Sequence, residues 1–119
     1  MTPLGQKLRQ LREERGVSLK DMAKALRVSS AYLSALEHGR RGKPTWMLLQ
    51  RIIAYFNVIW DEAEDLQRLA EMSDPKVTVD TAGMAPEATE LANRLARDID
   101  KLAPEDLIFL SAELTRRLK

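Results

Sequence analysis

The chain contains no cysteine and a single histidine, His38. The first absence excludes a disulfide framework, a zinc–thiolate site and a cysteine nucleophile. The second excludes a multi-histidine metal cluster. No apolar run approaches the roughly 18 residues that a membrane span needs. The N-terminal stretch MTPLGQKLRQ is amphipathic and lacks the uninterrupted apolar core of a signal peptide. Nothing assembles a nucleophile, a base and an orienting group. Asp98 and Asp100 are two apart, and on a helix such a pair does not face one another. These absences lead us to expect a cytoplasmic protein that is not an enzyme, carries no cofactor or metal and does not enter the membrane.

What is present is an apolar inventory and an uneven charge. At 119 residues and 45% hydrophobic content, the chain can bury a core as one domain, or as a small domain with an appendage. Its net charge of +1 conceals an asymmetry. Residues 1–60 hold eleven Lys and Arg against four acids, whereas residues 61–119 hold eight against fourteen. A basic half attracts polyanions, although the same charges also serve as solubilising groups on helix surfaces.

The apolar periodicity is helical throughout. Thr2 and Pro3 form a cap and first-turn pair, Leu4, Leu8 and Leu11 form a stripe through Arg15, and Gly16 ends the helix. Ser18 caps a helix over 19–26, and Ser29 caps one over 30–37 that stops at Gly39. A basic loop, residues 40–44, leads to Thr45 and a helix over 46–56 burying Leu48, Leu49, Ile52, Ile53 and Phe56. Asn57 breaks it, and a fifth helix over 60–72 carries Trp60, Ala63, Leu66, Leu69 and Ala70. Residues 73–83, with Pro75 and Gly83, read as a linker, in which Val77 and Val79 suit a short extended piece. Pro86 opens a helix to Leu102, and after Ala103 and Pro104 a last helix covers 105–118. The short connection predicts an antiparallel helical hairpin. The expected architecture is therefore all-α, with a five-helix domain over 1–72 and a C-terminal two-helix hairpin over 84–119.

Residues 19–39, LKDMAKALRVSSAYLSALEHG, carry the pattern of a helix-turn-helix, the unit that places its second helix in the DNA major groove. Met22 and Leu26 share one face, Ala23 is small where another helix approaches, and Leu33 and Leu36 are the buried pair of the second helix. Together with LeuArgGluGlu (11–14) before ArgGly (15–16), ValSerLeuLysAspMetAla (17–23), the basic loop and Pro44, this stretch resembles the Xre-type, or Cro/cI-like, repressor family. The resemblance covers about the first 70 residues and implies the five-helix fold; the C-terminal part lies outside it. The sequence departs from the family at two places. Arg27 stands where glycine is usual, and a non-glycine residue with φ > 0 there costs about 1 kcal/mol. Leu19 stands where the family often has a glutamine that grips the DNA backbone.

The resemblance implies that Ser30, Ala31, Ser34 and Ala35 face bases, a small and neutral set without bidentate readers of guanine or adenine. The alternative is that the alanines are simply good helix formers on an exposed face. Specificity then leans on Arg27, on the basic loop reaching a minor groove, or on DNA shape. Arg40, Arg41 and Lys43 in the loop, with Lys20 and Arg27, are candidate phosphate ligands. The backbone near Ser18 and Ser29, at two helix starts, offers further donors. Tyr32 either bonds a phosphate through its hydroxyl or packs against the basic loop. His38 either contacts a phosphate or caps its helix. Arg12 and Glu37 are implied by the family to pair and to fix the recognition helix; the alternative is two unrelated surface charges. Trp46 and Trp60 are read as packing residues rather than a ligand box.

In the C-terminal helices Leu91, Leu95 and Ile99 mark one face and Leu107, Leu110 and Leu114 another. A lone hairpin has little core, so these faces need a partner, either a second copy or the chain's own N-terminal domain. The leading expectation is a nucleoid-associated repressor that binds a two-fold operator on double-stranded DNA as a homodimer. The alternative is the DNA-binding antitoxin of a toxin–antitoxin pair, whose acidic tail masks a basic toxin.

Overall fold

Hydroxyl side chains set four helix starts, each accepting a backbone N–H of the first turn that the helix itself leaves unbonded. Thr2 accepts from Gly5, Ser18 from Asp21, Ser29 from Tyr32 and Thr45 from Leu48, at 2.9 to 3.1 Å. The computed structural model describes residues 1–119. From these caps run α1 (Pro3–Arg15), α2 (Leu19–Leu26), α3 (Ser30–Glu37) and α4 (Trp46–Phe56), followed by α5 (Trp60–Glu71). Then come α6 (Pro86–Asp98), a 3-10 turn (Ile99–Lys101) and α7 (Pro104–Leu118). No strand forms, and Val77 and Val79 pair with nothing. No helix is long and apolar enough to cross a membrane.

The chain divides into two compact units, Met1–Val77 and Thr78–Lys119. The first has one apolar core drawn from all five of its helices: Leu4, Leu8 and Leu11 of α1, Met22, Ala23 and Leu26 of α2, Leu33 and Leu36 of α3, Leu48, Leu49, Ile52 and Phe56 of α4, and Leu66 and Ala70 of α5. Three helices end in left-handed residues, Gly16 (φ 63°), Arg27 (φ 61°) and Asn57 (φ 53°). The last two lack the freedom of glycine.

In several places the structure differs from the sequence reading. Trp60, expected on the buried face of the fifth helix, is 80% exposed with φ 54°. Val58 enters the core two residues earlier, and the chain then turns outward before α5 begins. Ser73, expected in the linker, is buried: its Oγ accepts from Leu4 N–H at 2.9 Å and donates to the Leu69 carbonyl. It thereby ties the end of α5 to the start of α1, and the first unit extends to Val77. The sixth helix stops at Asp98, and the 3-10 turn takes the place of its last expected turn.

In the second unit α6 and α7 follow each other as expected, but they do not pack along their lengths as a closed hairpin would. No residue of the two helices or of the turn between them is buried. Asp106 closes the corner by accepting from Ala103 N–H at 3.2 Å. Asp98 binds Arg97 and Lys101, and these two hydrogen bonds hold its carboxyl below the usual carboxylate range, Arg97 contributing most.

Gly5 permits the close docking of α1. A Cβ built on it would lie 2.0 Å from the Glu37 carbonyl oxygen at the end of α3. Because that obstacle is backbone, Gly5→Ala should destabilise the chain by about 3 kcal/mol, the upper range for overpacking, although alanine is the better helix former. Urea unfolding followed by circular dichroism measures this. An unchanged midpoint would show that α1 does not dock here in solution.

Candidate nucleic-acid interface

The site is built on α2, the turn at Arg27, and α3. The turn is held by backbone geometry: Val28 N–H bonds the Ala23 carbonyl at 3.0 Å and Arg27 N–H the Lys24 carbonyl at 3.2 Å. From α4, Arg51 Nη1 donates to the Leu26 carbonyl at 3.3 Å. Leu19, which replaces the glutamine usual in the resembling family, packs half-buried against the core.

Leu33, Leu36 and Glu37 bury one side of α3. The other side presents Ser30 and Ala31, exposed, and Ser34 and Ala35, half-buried. The surface is small and uncharged, as the sequence suggests. Arg27 precedes α3 and Arg40, Arg41 and Lys43 follow it; all four are exposed, as is Lys20 on α2. Ser18 and Ser29 use their hydroxyls as caps for α2 and α3. Tyr32 is half-buried, and the Arg41 guanidinium carbon lies 5.8 Å from its ring centroid, over the face. His38 Nδ1 sits 2.9 Å from the Ser34 carbonyl; a carbonyl only accepts, so this nitrogen carries the proton. The ring thus caps the end of α3.

Arg12 and Glu37 form a two-pronged ion pair. Arg12 Nε donates to Glu37 Oε2 at 3.2 Å and Nη2 to Oε1 at 2.9 Å. The Glu37 side chain is 2% exposed and that of Arg12 13%. Two planar groups matched edge to edge fix orientation as well as distance.

Some neighbours of this surface carry no sequence signal. An open groove of about 400 Å³ joins the starts of α3 and α4, lined by Val28, Ser29, Tyr32, Thr45, Met47, Leu48 and Arg51. Met47 and Arg51 lie outside the apolar stripe of α4 and lack a distinguishing motif; Thr45 is visible only as a cap. Trp46 and Trp60 are both exposed and do not come together as a box.

Five helices around one core, with two of them joined by a tight turn and the second turned outward, define a helix-turn-helix domain. The family described as a helix-turn-helix domain matches residues 3–69. The chain belongs to this family, among the Xre-type (Cro/cI-like) regulators. It is similar to the HTH-type transcriptional regulator DdrOP3 of Deinococcus deserti, 44% identical over 55 residues, which are 46% of this chain and 42% of that protein. An uncharacterised HTH-type transcriptional regulator of Bacillus subtilis, RghRB, is 34% identical over 61 residues, 51% of this chain and 44% of that one. The regulator SinR of Bacillus subtilis is 33% identical over 55 residues, 46% and 50% of the two chains. The matched stretch is therefore at most half the length of these curated relatives. A solved SinR protein/SinI protein complex contains a chain similar at TM-score 0.46 and 24% identity, over 98% of this chain and 99% of that one.

The ion pair should be worth more than either charge alone. Arg12→Ala or Glu37→Ala leaves a buried charge without its partner and should each cost about 3 kcal/mol. A double-mutant cycle by chemical denaturation should return a coupling of at least about 1 kcal/mol. Simple additivity of the two losses would contradict the pairing.

Proposed function

We propose that this chain is a DNA-binding transcriptional regulator, acting as a repressor on a two-fold operator in the form of a homodimer, by binding and not by catalysis. The observation that carries this reading is an outward-facing α3 anchored from behind by Arg12 and Glu37 and flanked by four unburied cations. Ser30, Ala31, Ser34 and Ala35 then meet base edges in the major groove. With no long polar side chain among them, direct readout is confined to hydroxyl contacts and to apolar contact with thymine methyls. Arg27, Arg40, Arg41, Lys43 and Lys20 supply phosphate contacts, together with backbone N–H groups at the starts of α2 and α3. These contacts fix register without reading sequence. Sequence-dependent DNA shape supplies the remainder of the specificity.

The dimer is assigned to residues 84–119. Leu91, Leu95 and Ile99 of the α6 side and Leu107, Leu110 and Leu114 of α7 are all exposed. A pair of helices with no interior of its own is the element that a second copy would complete.

Reversing Arg40 and Arg41 to Glu should abolish binding to duplex DNA in a mobility shift while helical circular dichroism persists. For the unaltered chain, log affinity should fall linearly with log salt, by about 0.9 for each phosphate contacted. Undiminished binding by the double variant would remove the loop from the interface, and a flat salt profile would refute the electrostatic basis of binding.

A chain ending at Val77 keeps the whole core and the Ser73 tie. It should be monomeric by light scattering, and it should bind a full two-fold site much more weakly than the intact chain does. Dimerisation of the shortened chain with an unchanged constant would place the interface in α1–α5 instead.

A further inference from the structure

Tyr32 stands at the seam between the outward face of α3 and the core. It precedes Ala35 by three residues and Leu36 by four, so one helix neighbour belongs to the recognition face and the other to the interior. Its ring packs against the core cluster, which fixes its position. The Arg41 guanidinium lies over that ring at a distance within the range of a cation–π contact. Of the three cations in the loop after α3, Arg41 is the one held against an aromatic ring. The loop itself is permissive: it is entered through Gly39 at φ 77° and also contains Gly42.

We propose that Tyr32 is a positioning residue for Arg41, and that its ring face rather than its hydroxyl is what DNA binding uses. The inference rests on the DNA-binding reading above and deepens it. A cation–π contact makes no hydrogen bond with the guanidinium. The N–H groups along its edges stay free, in the planar fork that suits a phosphate. A free arginine side chain gives up about 2 kcal/mol of rotamer entropy when it is immobilised. Arg41 has already lost part of that freedom on the Tyr32 ring, so less is lost on meeting a phosphate beside Ala35. An ammonium at this position carries the same charge but lacks the flat surface that stacks.

The test uses the full chain and a duplex selected by the unaltered protein from a random library, with fluorescence anisotropy at several salt concentrations. Tyr32→Phe should bind within about twofold of the original chain and keep its salt slope. Tyr32→Leu, which fills the same part of the core without a π face, should bind about tenfold more weakly, with a slope shallower by about one phosphate contact. In an Arg41→Ala background, Tyr32→Leu should have no further effect. Arg41→Lys should lose affinity in the original chain and gives a reading that does not depend on how the Leu variant folds. Loss in Tyr32→Phe equal to that in Tyr32→Leu would assign the role to the hydroxyl and overturn the inference. So would a Leu effect that persists without Arg41, or an Arg41→Lys variant equal to the original. Failure of the unaltered chain to select any duplex would instead overturn the DNA-binding reading, and this inference with it.

Discussion

Glu37 is the point on which the first unit turns. Its carboxylate takes both prongs of the Arg12 guanidinium, and its carbonyl accepts the Thr2 N–H at 3.1 Å. The same carbonyl lies where a Cβ on residue 5 would have to go, so α1 can approach only because that residue is glycine. One residue at the end of α3 thus binds α1 at two levels, near its start and near its end. A buried ion pair need not add net stability, because both charges lose their hydration. What it does impose is a single orientation. A hydrophobic pair of similar volume would tolerate rotation of α3 about its axis; a matched fork does not. The face that α3 turns outward therefore follows from the polar contacts behind it.

The same logic accounts for the turn before α3. Arg27 is left-handed at φ 61°, where a side chain costs about 1 kcal/mol relative to glycine. The turn keeps its shape because the bonds from Val28 and Arg27 close back onto α2 and Arg51 reaches over from α4 to the Leu26 carbonyl. Neighbouring structure over-determines the conformation, so the strain persists. A cation is thereby held immediately before α3, at a position where glycine would leave none.

The helices and most of the core were legible in the sequence because each signal is local. Caps at Thr2, Ser18, Ser29 and Thr45 and stops at Gly16 and Asn57 act within one turn of the residue that carries them. The Arg12 and Glu37 pairing is not local, and only family resemblance pointed to it. Gly5 and Ser73 were invisible for the same reason. A glycine within a helical pattern reads as a weak spot, and a serine before Asp and Pro reads as loop, until the chain 32 and 69 residues away is in place. Trp60 was misplaced because its helical spacing suits the core, whereas Val58 reaches the core first and redirects the chain. Of the candidate site, the cations and small residues of α3 were readable by position. The contact of Arg41 with the Tyr32 ring required the fold of the loop.

In the second unit the helical periodicity of the sequence is realised, but the helices do not close on one another. Leu107, Leu110 and Leu114 form one stripe of α7, but Ile108 and Phe109 are also exposed and point to other sides of the same helix. With successive residues about 100° apart, no single neighbouring helix can cover both sets. Packing α6 flat against α7 would have left Ile108 and Phe109 bare. α7 is thus accessible from more than one side, and a helix apolar on several sides is ordinarily covered on each of them. The charged groups are consistent with that arrangement. Asp98 is bound by Arg97 and Lys101, and Glu113 by Arg116 and Arg117, so each of these carboxylates is already paired within its own chain. The apolar side chains of α6 and α7, by contrast, are left uncovered within the unit.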